Sequence, residues 1–249
     1  MLTQERHREI LKILAEKQAV TVSELSELLN TSESTIRRDL NKLDSQGMLN
    51  KVFGGATATT EILEAKDDTV DTRSQLNIEE KRMIGEYAAT LINNYDLVYI
   101  DAGTTTRVFI EYITNRNATY VTNALDHGLY LMEKGFNVYI VGGKLKASTE
   151  CVVGADGIKF LEKFNFTKSF IGTNGIDINA GFTTPDIEEG HIKSEVLKRS
   201  YHSFVLADNS KFHKVYPVTF GNIKNSCIIT GKLKDKAFEK ETVVKEVFK

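Results

Sequence analysis

The chain has 249 residues, enough for one large domain or two smaller ones. Hydrophobic residues make up 41% of it, which argues for a sizeable buried core and against wholesale disorder. Its 32 basic and 34 acidic side chains leave a formal net charge of -2, so any nucleic-acid binding has to come from local placement of charge rather than from a basic tail. Cys151 and Cys227 lie far apart without CxxC spacing, and His7, His127, His191, His202 and His213 show no metal-ligand spacing. Neither a disulfide framework nor a metal site is expected, and no cofactor is implied. No early run is apolar enough for a signal peptide or a membrane span, so the expected setting is soluble, reducing and cytoplasmic, with no membrane partner.

In chain order, Thr3 to Lys17 reads as a helix with Ile10, Leu11 and Leu14 on one side. Val20-Thr21-Val22 is a short extended piece. Thr21 and Glu24 have capping-box spacing and open a second helix with Leu25, Leu28 and Leu29 as its core face. Asn30-Thr31 makes a tight turn. Ser32 then caps a third helix, in which Ile36, Leu40 and Leu43 form one apolar stripe. At about 100° per residue, Ser34, Arg38, Asn41 and Ser45 fall opposite Ile36, with Thr35 and Arg37 beside them. Hydroxyl, amide and guanidinium groups on one helix face match phosphates and base edges of a DNA major groove. A solvated surface helix would carry similar charges, and the mixed signs of residues 5–27 weaken the electrostatic case. The surroundings decide the reading. Gly47 supplies a helix stop, Met48–Phe53 a strand and Gly54-Gly55 a tight turn, which completes a winged helix-turn-helix over residues 1–57. Ser34, Thr35, Arg37, Arg38 and Asn41, with Lys51, Gly54 and Gly55 of the wing, are the expected DNA contacts.

Residues 58–76 carry threonines followed by Glu61, Glu64, Asp67 and Asp68, with little apolar periodicity, and read as a linker or an ordinary solvated loop. Over 77–249 helices and strands alternate. A helix whose start is marked by Asn77 and Glu80 at capping spacing is followed by strands at 97–100, 120–122, 138–141, 169–171, 204–206 and 227–229, with helices between several of them. That alternation predicts an α/β domain with a largely parallel sheet covered on both faces. Ligands of such sheets bind beyond the carboxyl ends of the strands. Those ends carry Asp101, Gly103, Thr104, Thr105 and Thr106, then Asn123, then Gly142, Gly143 and Lys146, then Gly172, Asn174 and Gly175, and finally Asp208 and Lys211. Each group alone is ordinary loop chemistry. Together they predict a small polar, phosphorylated ligand, with glycine allowing close backbone approach and hydroxyls and helix-start N–H groups facing an anion. GxGxxG and GxxxxGK[ST] are both absent, which disfavours dinucleotides and P-loop nucleotides.

Both halves together resemble the DeoR family of bacterial transcriptional regulators. The resemblance rests on Ser34-Thr35-Ile36-Arg37-Arg38-Asp39-Leu40, Gly47 and the wing Lys51–Ala56. In the second half it rests on Asp101-x-Gly103-Thr104-Thr105, Thr122-Asn123, Gly142-Gly143, Gly172-x-x-Gly175-Ile176, Glu189-x-x-x-Lys193 and Ala207-Asp208-x-Ser210-Lys211. It implies an effector domain with the sugar-phosphate isomerase and CoA-transferase fold. It adds Glu189 and Lys193 to the effector-binding set, with Gly103-Thr104-Thr105 as phosphate loop and Lys211 as ligand-facing lysine. It further implies operator DNA and a phosphorylated sugar as partners of a homo-oligomer, dimer or tetramer. Three positions depart from the family pattern. Phe53 replaces a usual wing histidine, Lys146 replaces an arginine and loses its bidentate fork, and Gly190 replaces an alanine, which is expected to loosen a helix start. Within the family, residues 1–7, 101–106, 172–175 and 181–186 look most like fructose-operon repressors, implying fructose 1-phosphate as inducer.

The favoured function is a repressor of a sugar-utilisation operon, relieved by the sugar phosphate, with no catalytic residue. The alternative is an isomerase-like enzyme with an appended DNA-binding domain, in which Asp101, Asp208, Glu189 and Lys211 would supply acid and base.

Overall fold

The computed structural model describes residues 3–17, 19–45, 48–58, 70–233 and 235–248. The chain divides into two compact units, residues 1–61 and residues 62–249. Gly47, the expected helix stop, and 59–69 of the expected linker lie outside the described residues.

The first unit runs α1 (Thr3–Lys17), β1 (Ala19–Thr21), α2 (Val22–Leu28), α3 (Glu33–Ser45), β2 (Leu49–Val52) and β3 (Gly55–Ala58). Thr21 and Glu24 form the full capping box: the Glu24 N–H donates to Thr21 Oγ1 at 3.1 Å and the Thr21 N–H to Glu24 Oε2 at 2.9 Å. Asn30 adopts the left-handed conformation that the tight turn needs, with φ 45°. Ile10, Leu14, Leu25, Ile36, Leu40, Leu43 and Leu49 close one core. Each buried aliphatic side chain contributes about 1.5–3 kcal/mol. Leu28 departs from the expected face and is exposed, because α2 ends there and only Leu25 and Leu29 turn inward. The three strands pair antiparallel in the order β1-β3-β2. At their turn Gly54 holds φ 83°, and a β carbon on Gly55 would lie 2.2 Å from the Val20 carbonyl oxygen. The Gly-Gly pair is therefore dictated by backbone conformation and by close approach to β1.

The second unit begins with α4 (Val70–Gln75), α5 (Ile78–Ala89), β4 (Leu97–Ile100), α6 (Thr104–Ile110), β5 (Thr119–Thr122), α7 (Leu125–Glu133) and β6 (Asn137–Ile140). It continues with β7 (Lys144–Lys146), β8 (Cys151–Val153), α8 (Ala155–Leu161), β9 (Phe166–Gly172), β10 (Gly175–Asp177) and β11 (Gly181–Thr184). It ends with α9 (Ile187–Lys198), β12 (Ser200–Leu206), β13 (Val218–Gly221), β14 (Cys227–Thr230) and β15 (Val244–Glu246). The seven strands of the main sheet are parallel, in the order β15-β14-β12-β9-β4-β5-β6. Period-two alternation serves both faces. Val98, Ile100, Tyr120, Phe170, Leu206 and Ile229 meet α5, α6 and α7. Tyr99, Val121, Ile171, Val205 and Ile228 meet α8 and α9 on the other side. A smaller sheet, β10-β11-β13, and the pair β7-β8 are not among the strands that the periodicity predicts.

Two local expectations change. Asn77 does not cap α5 with its side chain: it sits at φ 54°, and its Nδ2 donates to Asp208 Oδ1 at 2.8 Å. Glu80 likewise turns away from the helix start and accepts from the Asn209 and Gly231 N–H groups. The last part of the expected linker is the helix α4, which packs against α6 and whose Arg73 carbonyl accepts from Lys81 Nζ at 2.5 Å.

From the strand order, β4 leads outward to β5 and β6, whereas β9 leads the other way to β12, β14 and β15. The direction of winding therefore reverses between β4 and β9. A crevice at the carboxyl ends of those two strands is the topological switch point of the sheet.

Candidate functional site

In the first unit the apolar back of α3 is buried and its front is open. Ser34, Arg37, Arg38 and Asn41 are exposed and Thr35 is half-buried. Arg38 and Asn41 make no side-chain hydrogen bond to another described residue, whereas Arg37 reaches back to Glu33 at 3.1 Å. Ser32 Oγ lies 3.1 Å from Ser34 Oγ and 3.0 Å from Thr35 Oγ1, so the hydroxyls cluster at the helix start. On the wing, Lys51 is exposed and its N–H donates to Asp44 Oδ1 at 2.8 Å, tying the wing to the end of α3. Phe53, at the departure from histidine, projects fully into solvent beside Gly54.

The helix is held from behind by a residue that spacing alone did not single out. Asp39 is buried, receives Arg6 Nε at 2.6 Å and lies 3.0 Å from His7 Nε2. Burial pushes the Asp39 carboxyl up, but the hydrogen bonds from Arg6 and His7 and their charge outweigh it and hold it below its ordinary value. The sequence signal was available, as an acidic residue on the buried stripe between Ile36 and Leu40.

In the second unit a cavity of about 240 Å³ opens at the switch point. Gly103, Thr104, Thr105, Gly172, Asn174, Glu189, Lys193 and Lys211 line it, as do Arg73, Arg107, His127 and Thr149. Beneath it, buried Asp101 accepts from Lys193 Nζ and from the Gly172 N–H, the latter at 3.0 Å. This pair links β4, β9 and α9. Burial raises the Asp101 carboxyl above its ordinary value against the pull of Lys193.

The other expected residues stand behind the wall. Asn123 accepts from the Ala102 N–H at 3.1 Å and donates to the Val152 carbonyl, which fixes the loop after β4. Thr106 is buried and donates to the Gly103 carbonyl at 2.9 Å. Lys146 pairs with Glu189 at 2.7 Å and Asp186 at 2.9 Å, so its charge is spent on α9. Asp208 accepts from Ser210 and Asn77. Gly142, Gly143 and Gly175 do not line the cavity. Gly143 abuts Gly157 and Val152, and Gly175 abuts the Lys214 backbone. Gly190 does not loosen its helix. Asp186 caps α9 through the Glu189 N–H at 2.8 Å, and a β carbon on Gly190 would lie 2.7 Å from Val218 Cγ1.

Sequence reasoning singled out neither Arg73, Arg107 and Thr149 of the lining nor two buried residues, Lys81 and His127. Lys81, buried on α5, donates to Thr104 Oγ1 at 3.0 Å. Burial lowers its pKa, Asp208 opposes this, and Lys211 and Arg73 lower it further. Its placement beside the loop after β4 depends on the packing of α5 on α6, which no local pattern encodes. His127 is buried on α7 with Nε2 3.2 Å from Thr106 Oγ1 and Nδ1 2.7 Å from Asp126 Oδ1. Its sequence signal was a lone histidine, too common to separate from an ordinary core residue.

Comparison with known proteins follows the same division. Residues 6–61 match the DeoR-like helix-turn-helix domain and residues 76–232 the DeoR C terminal sensor domain. The chain is 38% identical over 251 residues to a protein of Bacillus subtilis named "Uncharacterized HTH-type transcriptional regulator FruR", covering 99% of each chain. It is 32% identical to the Bacillus subtilis HTH-type transcriptional regulator IolR, over 94% of this chain and 93% of that one. It is also 33% identical to the lactose phosphotransferase system repressor of Staphylococcus aureus, over 84% of each. Among solved structures, ribose 5-phosphate isomerase A of Methanocaldococcus jannaschii aligns at TM-score 0.40 and 14% identity, over 55% of each chain. The sorbitol operon regulator SorC of Klebsiella pneumoniae aligns at TM-score 0.39 and 13% identity, over 83% of this chain and 90% of that one.

Proposed function

The chain belongs to the DeoR family of transcriptional regulators, and from that premise we propose that it represses a sugar-utilisation operon by binding operator DNA through α3 and the wing, and is released by fructose 1-phosphate bound at the switch-point cavity. It is a regulator and not the isomerase-like enzyme that its carboxylates also allowed. Those carboxylates are engaged in structural pairs, Asp101 with Lys193, Glu189 with Lys146 and Asp208 with Ser210.

One observation carries the effector reading. The cavity at the ends of β4 and β9 collects Lys193, Lys211, Arg73 and Arg107 around Gly103-Thr104-Thr105, with Lys81 bonded to Thr104 from below. Burial and the neighbouring Lys211 and Arg73 disfavour charge on Lys81, a phosphate at the start of α6 favours it, and the first-turn N–H groups there have no partner within the helix. The sugar hydroxyls fall to Asn174, Glu189 and Thr105. One chain supplies one recognition helix, so a homo-oligomer is required to read two half-sites about 34 Å apart.

The sugar phosphate has to bind the weak-DNA form more tightly than the strong one, since equal affinity shifts nothing. The test is fluorescence anisotropy on a labelled upstream fragment of the operon, with fructose 1-phosphate, fructose 6-phosphate and glucose 6-phosphate. Fructose 1-phosphate is expected to weaken binding at least tenfold and the others less. Arg38→Ala is expected to lose at least tenfold in operator affinity while still binding the sugar phosphate, because a lost base or phosphate contact costs about 1–3 kcal/mol. No response to any of the three sugars would remove the effector reading, and unchanged DNA affinity in Arg38→Ala would remove the assignment of α3.

A further inference from the structure

The two outer edges of the seven-stranded sheet are built differently. At one edge β15 carries Lys245 and Glu246, with Lys245 over the Tyr87 ring and Glu246 bonded to Lys236 and the Leu233 N–H. Charged side chains on an edge strand oppose further pairing. At the other edge β6 reads Asn137-Val138-Tyr139-Ile140, without a charge, a proline or a bulge. Val141 donates to β5 through its N–H, so by alternation the N–H and C=O groups of Val138 and Ile140 point outward, where no described strand pairs with them.

The helix beside this edge is apolar on the outside as well as the inside. Leu131 and Gly128 of α7 face the core, whereas Leu125, Leu129 and Met132 are 43%, 49% and 56% exposed. The spacing i, i+4, i+7 puts those three on one outer face. They border a shallow groove with Val138 and Ile140, and Ile140 itself is 42% exposed. Tyr139, 49% exposed, adds an aromatic on the other side of the same strand.

We infer that this edge, β6 with the outer face of α7, is the surface through which two copies of the chain associate, their β6 strands pairing antiparallel about a two-fold axis. The argument for a second copy rests on self-complementarity and size. A two-fold interface uses one patch twice, and an uncharged strand edge is its own hydrogen-bonding complement. The five exposed side chains amount to roughly 500 Å² per copy, so with the strand edge a pair buries about 1,000 Å² or more, the lower bound of a specific interface. This inference rests on the oligomer in the proposed function and supplies its contact surface.

Sedimentation of the full chain across micromolar concentrations tests it. The wild type is expected at twice the chain mass or a multiple of it. Leu129→Glu with Met132→Glu is expected to halve that mass, as is Leu129→Lys with Met132→Lys, and mixing the two variants is expected to restore it. Amide exchange on the unmodified chain gives a second readout: Val138 and Ile140 are expected to slow at least tenfold as concentration rises through the association range. A wild type that is monomeric throughout overturns both this inference and the oligomer. A wild type that associates while both variants keep its mass, or while those two amides exchange at a constant rate, overturns this surface and leaves the oligomer standing.

Discussion

At the scale of single residues, buried charges organise both units. Asp39 joins α3 to α1 through Arg6 and His7, and Asp101 joins β4 to α9 through Lys193. Removing one member of a buried pair costs about 3–5 kcal/mol, because the other is left as an uncompensated charge. Asp39 has the sharper pH consequence. Its carboxyl lies below the ordinary value in the folded state, so its stabilisation is fully present above an unfolded pKa of about 3.9 and is lost as pH falls through the folded value. The helical signal of the first unit is therefore expected to lose thermal stability as pH falls below about 4, and Asp39→Asn to be less stable at neutral pH and flatter through that acid range. Circular dichroism melts across the range check this. An Asp39→Asn variant with wild-type stability at pH 7 would refute the role. Asp39 and Arg38 are sequence neighbours on opposite sides of α3, one buried to hold the helix and one exposed on the face that the proposed function gives to DNA. The apolar stripe alone separates them, since Asp39 shares the face of Ile36 and Leu40.

At the scale of elements, local chemistry succeeded where a signal was self-contained. The Thr21–Glu24 capping box closes with both hydrogen bonds, and the helix start it marks is where α2 begins. Thr21→Ala is expected to destabilise the first unit by about 0.5–2 kcal/mol, read from denaturant midpoints at unchanged slope. A loss below that range would mean that tertiary packing alone fixes the start of α2. The same pattern failed at Asn77 and Glu80, where both side chains are taken by distant partners, Asp208 and the backbone of Asn209 and Gly231. A cap is a local bond, and it forms only if no long-range bond takes its donor or acceptor. Gly190 illustrates the same point, since its small size serves β13 and not the helix that contains it.

At the scale of the whole molecule, the chain is two units, each with its own core. A ligand that binds only the folded second unit stabilises it by about 2.7 kcal/mol at a hundredfold excess over Kd. Thermal melts followed by circular dichroism are expected to show two transitions, with fructose 1-phosphate raising the one that carries β-sheet signal and leaving that of the winged helix unchanged. A shift of both together would mean that the two units unfold as one.

The sequence by itself determined the kinds of element, the winged helix and the set of strand ends where polar residues gather. These follow from periodicities of 3.6 and 2, from caps and from turn residues, all of which act over a few positions. Strand order was decided only by the tertiary structure. That order put β4 beside β9, brought Asp101 to Gly172 and Lys193, and opened the cavity between them. It also carried His127 and Arg73 to the rim, set Lys81 beneath Thr104 and moved Gly142, Gly143, Gly175 and Asp208 behind it. Contacts between residues tens of positions apart depend on how helices choose a face of the sheet, and that choice is made by the fit of whole surfaces rather than by any short run of residues.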